Sequence, residues 1–124
     1  MVQKRKREKL RALADVVAEA LQAIDEAERF TSGMMFEEFI LDRRTSRAVE
    51  RCLQIISEAS RHVPKNVQGD YPEISWRKVI DSGNVFRHAY HTVSHRIVWD
   101  TMRDDLPILE GALKKIAADL PTKS

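Results

Sequence analysis

The stretch GNVFRHAY, residues 83–90, carries residue types that could perform acid–base chemistry on a phosphodiester. Its polar positions, extended by one further histidine, fall at i, i+3, i+4 and i+7 and share one face of a helix: Asn84, Arg87, His88 and His91. Tyr90 lies on the adjoining side. An imidazole can move protons on and off a ribose hydroxyl, and a guanidinium can stabilise charge that develops on a phosphate. Taken alone, the cluster is more typical of a helix surface or interface.

Other kinds of site are not supported. The four histidines form no HExxH pair and have neither a cysteine partner nor a carboxylate at ligand spacing, so we expect no metal: His62, His88, His91 and His95. The four glycines are too dispersed for a phosphate-binding loop, so we expect no nucleotide cofactor. Cys52 lies on an apolar helical stripe, and we expect a buried structural thiol there rather than a nucleophile.

Helices are the elements expected to position these residues. The chain has 124 residues, of which 43% are hydrophobic, enough for one domain spanning residues 1–124. Apolar residues recur every three or four positions and predict four long helices and one short one, near residues 6–29, 36–41, 45–63, 76–91 and 94–119. Brief connections between them favour an all-α, antiparallel, up-and-down helix bundle.

Several positions interrupt or anchor this pattern. The segment Pro64–Ser75 carries turn-forming residues and is interpreted as the one substantial loop, able to contribute to a rim or lid. Pro107 lies inside the last helix, where we expect a kink and, as the lesser alternative, a break. Ser94 is the expected N-cap of that helix. Trp76 and Trp99 are expected to be packing residues or anchors of a dimer interface.

Charge is unevenly distributed along the chain. Six of the 21 basic residues and one of the 19 acidic residues lie within the first eleven positions, which leaves 15 basic and 18 acidic residues in the rest. The basic start could contact phosphate, and a solvated helix entry explains it equally well. No apolar run is long enough for a membrane span and no signal peptide is apparent, so we expect a cytoplasmic protein without a membrane partner.

Four sequence blocks in a fixed order provide a family resemblance: FEEFILDRRT (36–45), AVERCLQIISEAS (48–60), PEISW (72–76) and HAYHTVSHRIVWDTMRDDLPIL (88–109). With them, residues 10–113 resemble the HepT-like ribonucleases of the HEPN superfamily. These are toxins whose antitoxin partner is a minimal nucleotidyltransferase. The resemblance implies a HEPN-like helical bundle, a homodimer with its active site in a cleft near the dimer interface, and cleavage of RNA without a metal.

The family motif is an arginine, four to six residues, a histidine, one residue and a tyrosine. His88 and Tyr90 match its second half, and Asn84 matches the asparagine that commonly follows the arginine. The arginine itself would stand at 81, 82 or 83, where this chain has Asp, Ser and Gly. Arg87 lies one helical turn after Gly83, about 6 Å along the axis and about 40° around it.

The resemblance implies a role for each of these site residues, and for Tyr90 and Asn84 a structural alternative stays open. His88 would transfer protons, and Arg87 would stabilise transition-state charge, with the missing Cβ at Gly83 leaving room for it. Tyr90 would help to bind phosphate and would receive AMP from the nucleotidyltransferase, or else pack at the bundle edge. Asn84 would orient RNA or His88, or make a structural hydrogen bond.

The leading hypothesis is an endoribonuclease toxin of a type VII-like toxin–antitoxin system, which acts by 2′-hydroxyl attack and is neutralised by AMP addition. The alternative is a non-catalytic subunit that binds a nucleotidyltransferase and has lost RNase activity. For His95 and His91, exposure to solvent is expected over a place in the cleft.

Overall fold

The computed structural model describes residues 2–88 and 94–120, and for Val2 and residues 84–88 it describes the backbone alone. Its elements are α1 (Val2–Phe30), α2 (Phe36–Leu41), α3 (Arg43–Arg61), α4 (Lys65–Gly69), α5 (Trp76–His88), α6 (His95–Asp100), a π-helical segment (Thr101–Asp105) and α7 (Leu106–Asp119). No strand occurs in these ranges, and the predicted all-α class is confirmed.

The long first helix, α1, forms because its small and apolar residues recur on one wide face. That face is buried from Leu13 to Ala27 and packs against α3 and α7. After Phe30 the chain turns. The Thr31 hydroxyl donates to the carbonyl oxygen of Ala27 at 2.9 Å, and Gly33 adopts a positive φ of 75° that disfavours side chains.

The short helix α2 and the long helix α3 meet at Asp42. The Asp42 carboxylate accepts hydrogen bonds from the backbone N–H and the hydroxyl of Thr45, at 2.9 and 2.8 Å, and so caps α3. These hydrogen bonds lower the pKa of Asp42 from its usual value. The apolar stripe predicted for α3 is buried, and the helix begins and ends two residues earlier than predicted.

The connection from α3 to α5 differs from its prediction. Residues 64–75 were expected to form a loop without secondary structure, but α4 occupies five of them. Pro64 stands immediately before α4, where its fixed φ is compatible with a helix start. The Trp76 indole N–H donates to the carbonyl oxygens of Gln68 and Tyr71, at 3.1 and 3.2 Å. This connection therefore supports the beginning of α5.

The predicted distortion near Pro107 takes the form of the π-helical segment. The N–H of Leu106 donates to the carbonyl oxygen of Thr101, five residues back instead of four. Pro107 consequently falls in the first turn of α7, directly after the widened π-helical turn. The chain stays helical through this region, so the predicted alternative of a helix break is wrong.

The helices enclose one core of buried apolar side chains. α3 packs against both α1 and α5, and α7 packs against α1. The largest fully buried apolar side chains are Phe39, Ile24, Ile56, Leu109, Leu113, Val17, Val49 and Val98. Both tryptophans, Trp76 and Trp99, belong to this core. Among the described residues, no helix combines the length and apolar character that a membrane crossing requires.

Candidate active site

Helix α5 carries three of the four predicted site positions. Asn84, Arg87 and His88 lie in its last five residues, so the expected helical spacing of i, i+3 and i+4 is present in the backbone. Their side chains are not among those described, and how these side chains meet stays a prediction. Tyr90 and His91 lie outside the described residues.

The beginning of α5 is fixed by Trp76. This residue is buried, and its two hydrogen bonds attach the helix to the preceding connection. Lys78, on the next part of the helix, forms an ion pair with Asp105 of the π-helical segment at 3.4 Å. The predicted loop therefore contacts the beginning of α5, the end of the helix that lies furthest from His88.

The middle of α5 is fixed by Ser57 of α3. The Ser57 hydroxyl donates to the carbonyl oxygen of Ile80 at 2.7 Å. One turn later Gly83 is buried against the same side chain: a Cβ at Gly83 would lie 2.8 Å from the Cβ of Ser57 and closer still to its Oγ. The two helices can approach this closely only because position 83 has no side chain.

This packing changes the expected role of Gly83. The sequence suggested that the missing Cβ leaves room for the side chain of Arg87, but Ser57 fills that space. The same contact leaves no space for a side chain at position 83, because even its first carbon would overlap Ser57 of α3. Position 87 is one turn closer to the end of α5.

Helix α6 follows the predicted site in the sequence and begins after Ser94. The Ser94 hydroxyl accepts a hydrogen bond from the N–H of Arg96 at 3.1 Å, which confirms it as the N-cap of α6. His95 is exposed, as expected, and its ring lies edge-on to Phe39 with centroids 6.2 Å apart. The guanidinium of Arg96 lies 3.9 Å from the ring centroid of Phe36. Two cationic or ionisable side chains thus begin α6.

Cys52 is buried in the core, as the sequence predicted. Burial raises the pKa of its thiol to about 11, with a smaller contribution from the charge of Glu26. A thiol with this pKa is almost entirely protonated near neutral pH and is a poor nucleophile. Among residues 2–83 and 94–120, no group of three or more His, Cys, Asp and Glu side chains could hold a metal ion.

A cavity of about 160 Å³ lies between α3, α5 and α7. Apolar side chains line it together with polar and charged ones, and α5 contributes Lys78, Val79 and Ser82. Position 84 lies about 200° around the helix from position 82, since each residue turns an α-helix by about 100°. The cavity therefore belongs to a different side of α5 from the predicted polar stripe.

Sequence reasoning missed Ser57 altogether. It is a hydroxyl residue next to Ile56 of the apolar stripe, and only its distant partner, a glycine 26 positions later, gives it a role. No local pattern reveals such a pair, because the contact joins two helices.

Comparison with known proteins bears on what this helix does. The family model described as "Ribonuclease HepT-like" matches residues 20–116. The chain belongs to this family. The matched range includes all of α5 and the predicted positions from Asn84 to His91, and it begins after the basic start of α1.

Individual relatives have descriptions of the same kind. The chain is similar to "Probable ribonuclease HepT" of Thermococcus cleftensis, with 37% identity over 86% of this chain and 96% of that protein. It is also similar to "Putative RNase MJ1216" of Methanocaldococcus jannaschii, with 32% identity over 83% and 85% of the two chains. No solved structure gives a significant match. Family membership supports a ribonuclease function for the HepT-like chain.

Proposed function

We propose that this HepT-like protein is a metal-independent endoribonuclease whose active site is built on the last turns of α5. The observation that carries the proposal is the placement of Asn84, Arg87 and His88 at helical spacing on one helix, inside the range matched by a ribonuclease family. The Trp76 and Ser57 contacts support it, because they fix the helix that presents these residues.

The proposed reaction uses groups of the chain and of the RNA alone. His88 accepts the proton of a ribose 2′-hydroxyl, and the oxygen attacks the adjacent phosphorus. The bond from phosphorus to the 5′-oxygen breaks, and that oxygen leaves with the proton that His88 accepted and now gives back. The products are a 2′,3′-cyclic phosphate end and a 5′-hydroxyl end. Arg87 stabilises the additional negative charge on the phosphate oxygens in the transition state.

A substitution of His88 tests this mechanism. In EDTA, the cleavage rate of His88→Ala should fall by about 10²- to 10⁴-fold, the usual contribution of a general acid–base group. His95→Ala is the matched control, because it removes an exposed imidazole from another helix and should retain activity. Equal cleavage by wild type and His88→Ala would exclude His88 from the mechanism.

We further propose that the protein is the toxin of a type VII-like toxin–antitoxin pair and that a minimal nucleotidyltransferase neutralises it by adding AMP to Tyr90. Tyr90 stands two residues after His88 in the sequence, and the added AMP is bulky and negatively charged. It would repel the RNA phosphate. Intact mass after coexpression with the neighbouring nucleotidyltransferase tests this regulation. We expect AMP on wild type and none on Tyr90→Phe; an unmodified wild type in an inactive complex would contradict it.

One observation favours a second candidate function. Positions 81–83 hold Asp, Ser and a glycine closely packed against Ser57, so the family arginine has no counterpart there. The second candidate is a non-catalytic subunit that binds the nucleotidyltransferase. It takes precedence if wild type neither cleaves RNA nor arrests growth without a partner while it still forms a stable complex. Loss of cleavage in Arg87→Ala, with an intact fold, would instead assign the arginine's role to position 87.

A further inference from the structure

The first turns of α1 form a strongly basic segment. We call residues 4–11 the basic arm; it contains Lys4, Arg5, Lys6, Arg7, Lys9 and Arg11, with Glu8 as its single acidic residue. Every charged side chain in it is exposed, and the buried face of α1 begins only at Leu13. The arm therefore extends the helix beyond the core that stabilises the rest of α1.

The sequence of the arm opposes its own helical structure. The first turn of α1 has no acidic residue, and its cations lie near the positive end of the helix dipole. Like charges also stand one turn apart, as at Lys4 and Arg7 or at Arg5 and Lys9. No ion pair joins the arm to the described part of the chain, although seven such pairs occur elsewhere in it.

The arrangement of the charges fits a polyanion. At about 100° per residue, the six cations are distributed around the whole circumference of the helix, so they do not define one flat face. A flat acidic protein surface would contact only some of them. A nucleic-acid strand, which presents one negative charge for each nucleotide along a flexible line, can follow such a helix.

The arm lies at the opposite end of the bundle from His88. α1 packs antiparallel to α3, and the hydrogen bonds that Gln68 makes with Val63 and Trp76 place the start of α5 near the end of α3, so the start of α1 is near the start of α5. Thirteen residues of α5 and the projecting turns of α1 separate the two places by on the order of 25–30 Å, at about 1.5 Å per residue. An RNA strand that reaches both must extend over several nucleotides.

We propose that the basic arm binds the sugar–phosphate backbone of RNA, independently of its sequence, at a distance from the cleavage site. The inference rests on RNA as the substrate in the proposed function. It assigns substrate affinity to a segment outside the family-matched range, which begins at residue 20. The chemistry at α5 then acts on a strand that the arm retains.

The test compares two charge-neutralised variants. The arm variant is Lys4→Gln, Arg5→Gln, Lys6→Gln and Arg7→Gln; glutamine keeps a high helix propensity. The control variant has the same net charge and removes four exposed cations of the body: Arg61→Gln, Lys65→Gln, Arg77→Gln and Lys115→Gln. The probe is a fluorescent 20-nucleotide RNA with 2′-O-methyl groups, which cannot undergo attack by its own 2′-oxygen. Anisotropy gives Kd from 50 to 200 mM salt.

We expect the arm variant to bind about tenfold more weakly at low salt and to lose about 0.7 in the slope of log K against log salt for each phosphate contact removed. The control should change either quantity much less. Equal effects of the two variants would show that RNA binding depends on the net charge of the protein and not on the arm, and would overturn the proposal. Kd and slope values equal to those of wild type would overturn it as well.

The outcomes remain separate from those of the proposed function. The binding probe is not cleaved, so the test measures the contribution of the arm to RNA binding even if the protein proves to have no ribonuclease activity. Conversely, cleavage that depends on His88 together with an arm variant that binds like wild type would leave the ribonuclease proposal intact and remove the arm from it.

Discussion

At the scale of single residues, the contact between Ser57 and Gly83 determines where α5 lies. The serine both donates to the carbonyl oxygen of Ile80 and fills the space beside the glycine. Gly83 is thus a packing residue of the α3–α5 interface, four positions before Arg87. The glycine at position 83 has a physical reason in the close approach of the two helices.

Substitution of two glycines tests this role. Gly83→Ala should lower the free energy of unfolding by about 1–3 kcal/mol, because the new Cβ overlaps Ser57. Gly111→Ala is the matched control: it lies in α7 with no atom within 4 Å of its added Cβ, and it should stabilise the protein by about 0.5–1 kcal/mol. Urea denaturation measures both, and stabilisation by Gly83→Ala would contradict the packing role.

At the scale of elements, the short helix α2 holds the start of α6 in place. Phe39 is completely buried and lies 5.1 Å from the ring of Trp99 and 6.2 Å from that of His95. Phe36 packs against Trp99 and Arg96. A helix of six residues is too short to be stable alone, so these contacts must supply its stability. The same contacts orient α6, which follows the predicted site in the sequence.

Two substitutions within α2 test whether the burial of Phe39 stabilises the protein. Phe39→Ala should destabilise the protein by about 3–5 kcal/mol, as expected for removal of a buried aromatic side chain. Glu37→Ala, on an exposed charged side chain of the same helix, should change the free energy of unfolding by less than about 0.5 kcal/mol. Comparable losses for the two variants, measured by thermal or urea unfolding, would show that α2 is stabilised in some other way.

At the scale of the whole molecule, the bundle leaves several large apolar side chains exposed. They include Leu41 at 83% and Met35 at 64% exposure beside α2, and Ile97 at 52% on α6. Exposed apolar side chains near one another favour a protein interface. Homodimerisation, implied by the family resemblance, is therefore proposed to use the surface around α2 and α6.

A charge at Leu41 tests the proposed dimer. Loss of one buried leucine contact costs about 2 kcal/mol per interface residue, so Leu41→Arg should weaken dimerisation by roughly 30-fold or more. Ala118→Arg, at an exposed position of α7, is the control and should leave the association unchanged. Sedimentation equilibrium measures the dissociation constant. A wild-type protein that is monomeric at micromolar concentration would contradict the dimer itself.

The helical architecture followed from the sequence because it depends on local periodicity. The stripes in α1, α3 and α7 are visible as apolar residues three and four positions apart, and the burial of Cys52 follows from its place in one of them. The cap at Ser94 is equally local, since a hydroxyl before a helix satisfies a free backbone N–H. The helical spacing of Asn84, Arg87 and His88 belongs to the same class.

Other features were decided only when the helices packed. The π-helical segment places Pro107 at a helix start, and α4 forms in a stretch whose residues favour turns; both depend on neighbouring elements that local propensity does not include. The contact of Ser57 with Gly83 joins residues far apart in the chain. The sequence alone therefore determined which residues lie on α5, whereas tertiary packing decided that position 83 must be glycine, because helix separation is a property of two elements and is not encoded in either one.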